Sequence, residues 1–156
     1  KALIFAHPII IMSTHLVASA VFPQRLEKVW AIIRNFDFPA KLFDGVECKM
    51  DNGAKPTEVG ATRTTKWKGD NHEQTEVHRL LEVSDLHHCI RWELINSSVD
   101  TEVSAYLSKL SLVRITEDDS TLVSWSADFS ADVKSSFLKF HNKSFNENLK
   151  EMRKNL

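Results

Sequence analysis

Glycine and proline are scarce in this chain of 156 residues, four of each, and all eight lie between Pro8 and Gly69. No two glycines have the spacing of a dinucleotide-binding fingerprint or a phosphate loop, where backbone N–H groups must approach phosphates closely. Nucleotide chemistry by those routes is excluded. An excess of charge of one sign is also missing, with 20 Lys+Arg against 21 Asp+Glu and a formal net charge of −1. Nothing electrostatic therefore points to nucleic acid or an anionic membrane as partner. Cysteine is limited to Cys48 and Cys89, without a CxxC pair or a Cys/His cluster at zinc spacing, so no metal is expected. Two buried free thiols in a reducing, cytoplasmic setting are preferred over a disulfide. Tyrosine occurs once, as Tyr106, whereas phenylalanine occurs nine times and tryptophan four. Rings with few polar handles suit a core or the wall of an apolar cavity.

Long apolar runs are absent except at the start, where residues 1–12 are interrupted by His7 and Pro8 and are too short to span a bilayer. They also lack the uninterrupted core and cleavage site of a signal peptide. Residues 1–13 read as an apolar N-terminal extension or a cloning remnant, and residues 14–156 as a single domain. Such an arm could bury itself along a sheet edge or against a second molecule, giving a homodimer. No integral membrane association is expected.

From residue 14 onward the pattern orders itself. Leu16 to Phe22 reads as a strand ended by Pro23, and Leu26, Val29, Trp30 and Ile33 mark a short amphipathic helix. Phe36 to Pro39 breaks it, and Ala40 to Phe43 adds one more turn. Six extended segments follow: 46–51, 57–67, 74–83, 89–97, 101–115 and 121–129. Their connections are short and rich in Asn, Asp, Ser and Gly, so successive strands should be antiparallel neighbours in a meander. Alternation along 77, 79, 81 and 83 is clean, whereas between Val103 and Ile115 it changes phase and predicts a bulge near Ser108-Lys109. Ser130 is an expected N-cap for a helix of about 25 residues, roughly 38 Å long, with an apolar stripe through Val133, Phe137, Phe140, Phe145, Leu149 and Met152.

Three segments carry a family resemblance. Residues 18–38, with Pro23, Val29 and Trp30, resemble an opening strand and helix. Gly60 and Arg63 followed by 77–85, and then 121–129 with Trp125, resemble the strands that come next. In this order and spacing they resemble the START-like or SRPBCC helix-grip superfamily, which includes polyketide cyclases, lipid-transfer proteins and relatives of the birch-pollen allergen. The resemblance covers residues 14–156 and implies an α+β helix-grip fold. Its seven-stranded curved antiparallel sheet wraps around a long C-terminal helix, with two short helices between strands 1 and 2. His78-Arg79-Leu80 matches a latch tripeptide of plant abscisic acid receptors, but it falls inside a strand and the matching gate loop is missing, so hormone reception is not inferred.

The resemblance further implies a cavity between sheet and helix for a lipid, sterol or polyketide-like molecule. Trp67, Trp92 and Trp125 from strands and Phe137, Phe140 and Phe145 from the helix are its candidate walls, although for any single ring a place in the core is preferred over ligand contact. Arg63, Tyr106 and His141 complete the candidate ligand-binding set. Arg63 and Glu76 on neighbouring strands would form a buried ion pair able to orient a carbonyl or carboxylate, or a solvated pair on the convex face. Two functions are weighed: a noncatalytic carrier of a small hydrophobic ligand, and a cyclase or aromatase-like enzyme. The second needs an acid or base, and its only candidates are His141 and Glu76, beside Tyr106 and Arg63. The carrier reading is preferred, without cofactor. A third is that the domain serves protein–protein contact through its arm.

Overall fold

A computed structural model of the chain describes residues 14–68 and 73–156. The N-terminal arm, the homodimer expected through it and the turn expected at 69–71 lie outside the described residues. Seven strands form one antiparallel sheet in the order β1-β7-β6-β5-β4-β3-β2. They are β1 (His15–Phe22), β2 (Glu47–Met50), β3 (Thr62–Lys68), β4 (Glu73–Ser84), β5 (Cys89–Ser97), β6 (Tyr106–Ile115) and β7 (Ser120–Phe129). Each strand from β2 to β6 pairs with the next in the chain, with residues 51–61 joining β2 to β3 and 98–105 joining β5 to β6, while β1 closes the other edge against β7. Helices α1 (Leu26–Ile33) and α2 (Pro39–Leu42) lie between β1 and β2, and α3 (Ser135–Asn155) ends the fold.

Burial explains why these segments settle as they do. In α1 the i, i+3, i+4, i+7 residues supply Val29, Trp30 and Ile33 to the core, and Pro39 opens α2 at a position where its missing N–H costs nothing. Phe22, Phe36, Phe38 and Leu42 close one end of the core against the inward residues Leu80, Ile90, Leu110 and Val123. The carboxyl-terminal half of α3 inserts Phe145, Leu149 and Met152 into this core. It is held there by Glu151, which accepts a hydrogen bond from the Asp44 backbone N–H at 2.8 Å, and by Asn155, which donates to the Leu42 carbonyl at 3.1 Å. Among the described residues the amino-terminal half makes no such hydrogen bond to the core; Phe137 and Leu138 pack on it only in part, and Phe140 is 66% exposed.

Several expectations are corrected. Strand β3 starts at Thr62, not Thr57, because Glu58 to Gly60 form turns, with Gly60 at φ 89° donating its N–H to the Leu80 carbonyl at 2.8 Å. Strand β6 starts at Tyr106, not Thr101, and runs against β7 from Tyr106–Phe129 to Ile115–Ser120 without interruption. No bulge falls at Ser108-Lys109: Leu107 simply faces outward, and residues 103 and 105, which suggested a phase change, lie before the strand. The irregularities sit instead in the β4–β5 pairing, between Val77 and His78 and between Leu80 and Glu82. On β4 the inward residues are therefore Glu76, His78 and Leu80, while Arg79 is exposed, and the second irregularity returns Val83 to the core. Helix α3 has 21 residues and starts at Ser135, which makes it roughly 32 Å long. Ser130 does not cap it, since its hydroxyl accepts the Ser104 and Ala105 N–H groups and ties the β5–β6 connection to the approach of the helix.

Candidate functional site

A straight helix anchored at one end cannot follow a curved sheet along its whole length, and the gap opens under the amino-terminal half of α3. There the structure holds a cavity of about 360 Å³. Every strand from β3 to β7 contributes to it: Arg63 and Trp67 from β3, Glu76 and His78 from β4, Trp92 from β5, Tyr106 and Ser108 from β6, and Trp125 from β7. Helix α3 adds Phe137, Phe140, His141 and Phe145, and the β5–β6 connection covers one side with Val99, Asp100 and Thr101. All nine residues expected at a ligand site, together with Glu76, are thus brought to one space.

The aromatic wall is continuous. Trp92 meets Trp125 edge to face at 5.9 Å, and Trp125 stacks on Phe145 at 4.9 Å. Tyr106 stacks on Phe129 at 4.8 Å. The His141 ring lies 4.2 Å from Phe137 and 5.2 Å from Tyr106, with Phe129, Phe140 and Phe145 also within 6 Å. Loss of hydration among these rings pushes the imidazole down to about 4, so it is neutral at physiological pH. Burial pushes the Tyr106 phenol up, and it too is un-ionised.

Polar groups gather on β3 and β4. Glu76 accepts hydrogen bonds from Trp67 Nε1 at 2.8 Å and Gln74 Nε2 at 2.9 Å. Burial raises its carboxyl despite those donors and the attraction of Arg63. His78 Nε2 stands 3.8 Å from Glu76, and burial, then the Arg63 charge, holds this imidazole well below its usual range. The expected Arg63–Glu76 ion pair does not form: among the described residues no carboxylate lies within 4.0 Å of the guanidinium. Register decides this, since Arg63 stands opposite His78 while Glu76 stands opposite Thr65. Arg63, 2% exposed, donates instead to the Phe36 carbonyl and lies over the rings of Phe36 at 4.1 Å, Phe38 at 5.1 Å and Trp92 at 5.4 Å. Burial lowers its pKa to about 10, which leaves it charged. Ring quadrupoles contribute about 0.5–2 kcal/mol to such a cation, less than the several kcal/mol that desolvation costs.

Sequence reasoning missed His78 as a wall residue, although period two places it on the face of Glu76, and missed Ser108, which shares the face of Tyr106. The Val99–Thr101 wall had no signal, because Val99 and Asp100 fell in a short connection and Thr101 read as the start of a strand. Cys48 and Cys89 are free and buried. Among the described residues no group of three or more His, Cys, Asp or Glu side chains could hold a metal, and no helix is long and apolar enough to cross a membrane.

A curved antiparallel sheet gripping a long carboxyl-terminal helix around an aromatic cavity defines the helix-grip class, the fold of the birch-pollen allergen type. Solved structures agree on the fold. A protein from Nitrosospira multiformis superposes with a TM-score of 0.74 at 22% identity, over 89% of this chain and 93% of that one. An uncharacterised protein from Bacillus thuringiensis gives 0.73 at 22% identity over 89% and 96%, and Ara h 8.0201 gives 0.69 at 10% identity over 89% and 94%. No curated protein matches the chain. The chain belongs to the family described as polyketide cyclase / dehydrase and lipid transport, which matches residues 13–156.

Proposed function

We propose that this protein is a carrier that binds one small apolar molecule, of lipid, sterol or polyketide type, in the space between the sheet and α3. The observation that carries the reading is the cavity itself. Packed interiors rarely leave voids larger than a water molecule, whereas about 360 Å³ lies within the size range of ligand sites. Its wall is mainly aromatic, with a few convergent polar groups to set orientation. Residues 14–156 form the binding unit, and two free thiols suit a reducing compartment such as the cytoplasm.

Native mass spectrometry of gently purified protein should detect a bound apolar compound, and the emptied protein should enhance the fluorescence of 1-aminoanthracene. Ser144→Trp, which places an indole in the cavity from α3, should weaken that probe at least tenfold while the fold persists. No probe binding by the emptied protein would sink the reading. One observation favours an enzyme as a second reading: Glu76 and His78 lie 3.8 Å apart beside the cavity and could share a proton. Glu76→Gln should then abolish turnover of a cyclisable poly-β-ketone, whereas a carrier would go on binding it without turnover.

A further inference from the structure

Among the described residues the cation at the buried end of the cavity has no counterion within ion-pair distance. Arg63 is charged and almost wholly enclosed, yet among those residues its one hydrogen-bond acceptor is the neutral Phe36 carbonyl. Three aromatic rings surround it, and their quadrupole attraction is smaller than the desolvation of a guanidinium. The nearest acids do not complete the site. Asp37 and Glu76 attract Arg63 only from beyond ion-pair distance, and Glu76 has its oxygens engaged by Trp67 and Gln74. Two N–H groups of the same wall, Arg63 Nε and Trp125 Nε1, have no acceptor among the described residues. Immediately around Arg63 the wall thus presents N–H groups without acceptors and an unpaired positive charge, although Glu76, Asp100 and the unpartnered His78 Nδ1 also line the cavity.

A carboxylate is the complement of such a surface, since it carries the missing charge and only accepts hydrogen bonds. A neutral ketone would accept from the donors but leave the charge unpaired; a hydroxyl would compete as donor and acceptor alike. Resting on the carrier reading above, we infer that the ligand is an apolar monoacid whose carboxylate seats on Arg63, with its hydrocarbon part along Trp92, Trp125 and Phe145 toward the mouth at Phe140.

The test compares two probes of equal chain length, decanoate and decan-1-ol, as competitors of 1-aminoanthracene near neutral pH. The expected result is that both compete, with decanoate at least tenfold stronger, and that Arg63→Met reduces this ratio to about one. Equal competition in the unmodified protein, or a ratio unchanged in Arg63→Met, overturns the acid inference and leaves the carrier reading standing. Failure of 1-aminoanthracene itself to bind overturns both. If Arg63→Met does not fold, Glu76→Gln decides: removing a carboxylate that attracts Arg63 should raise the decanoate preference severalfold, and a fall in that preference refutes the inference.

Discussion

Replacing His141 by leucine should make the stability of the protein less sensitive to acid. In the unfolded chain this imidazole titrates near 6.5, and in the folded protein burial among five aromatic rings brings it to about 4. The unfolded state thus binds more protons between these values, so stability is complete above about pH 6.5 and is lost as pH falls toward 4. Integrated to about pH 5, the loss is about 2 kcal/mol at most, because the ring keeps some hydration at its open edge. His78, also depressed by burial, acts in the same direction but is present in both proteins and cancels in the comparison. Urea denaturation at about pH 7.5 and pH 5 reads the difference, and an NMR titration of the His141 ring gives its midpoint directly. The opposing effect is cation–π attraction, worth about 0.5–2 kcal/mol, against about 3.4 kcal/mol for the full fall from 6.5 to about 4. If the rings attract the imidazolium more than burial disfavours it, the midpoint will lie at or above 6.5 and the wild-type protein will lose no more stability in acid than the leucine variant. That result would refute the argument.

Phe145→Ala removes a ring that is 2% exposed and stacked on Trp125; a loss of about 3–5 kcal/mol is expected in chemical denaturation, at the lower end if water from the cavity fills the space. Thr121→Val leaves the Gln24 carbonyl without the hydroxyl that donates to it at 2.8 Å at a fully buried position, and should cost about 1–3 kcal/mol by the same assay. Phe140→Ala, at a residue 66% exposed on the rim of the cavity, should change stability by no more than about 0.5 kcal/mol while altering the rates of probe entry and release in stopped-flow fluorescence. A large stability loss there would mean that Phe140 is part of the core.

Local pattern was enough for the elements whose signals are short-range. The 3.6-residue spacing of Val29, Trp30 and Ile33 and the turn residues between strands depend on near neighbours alone, and both the helix and the antiparallel order follow from them. Failures occurred where a distant contact outweighed a local preference. Ser130 has the chemistry of an N-cap, but its hydroxyl is taken by Ser104 and Ala105, which no local window contains. The alternation of 77, 79, 81 and 83 reads as one face, but two irregularities against β5 set which side points inward. On β6 the apparent change of phase came from assigning 101–105 to the strand.

The sequence by itself determined the order of elements and the residue types available for a cavity wall, because composition and periodicity are properties of the chain. Tertiary structure alone decided the site. The curvature of the sheet and the anchoring of α3 at its carboxyl-terminal end determine whether the rings close on one another or leave about 360 Å³ between them. The pairing of β3 with β4 opposes Arg63 to His78 and not to Glu76, and so a buried cation lacks the carboxylate that its sequence neighbours appeared to offer. Register, curvature and anchoring are relations between segments far apart in the chain, and no single segment encodes them.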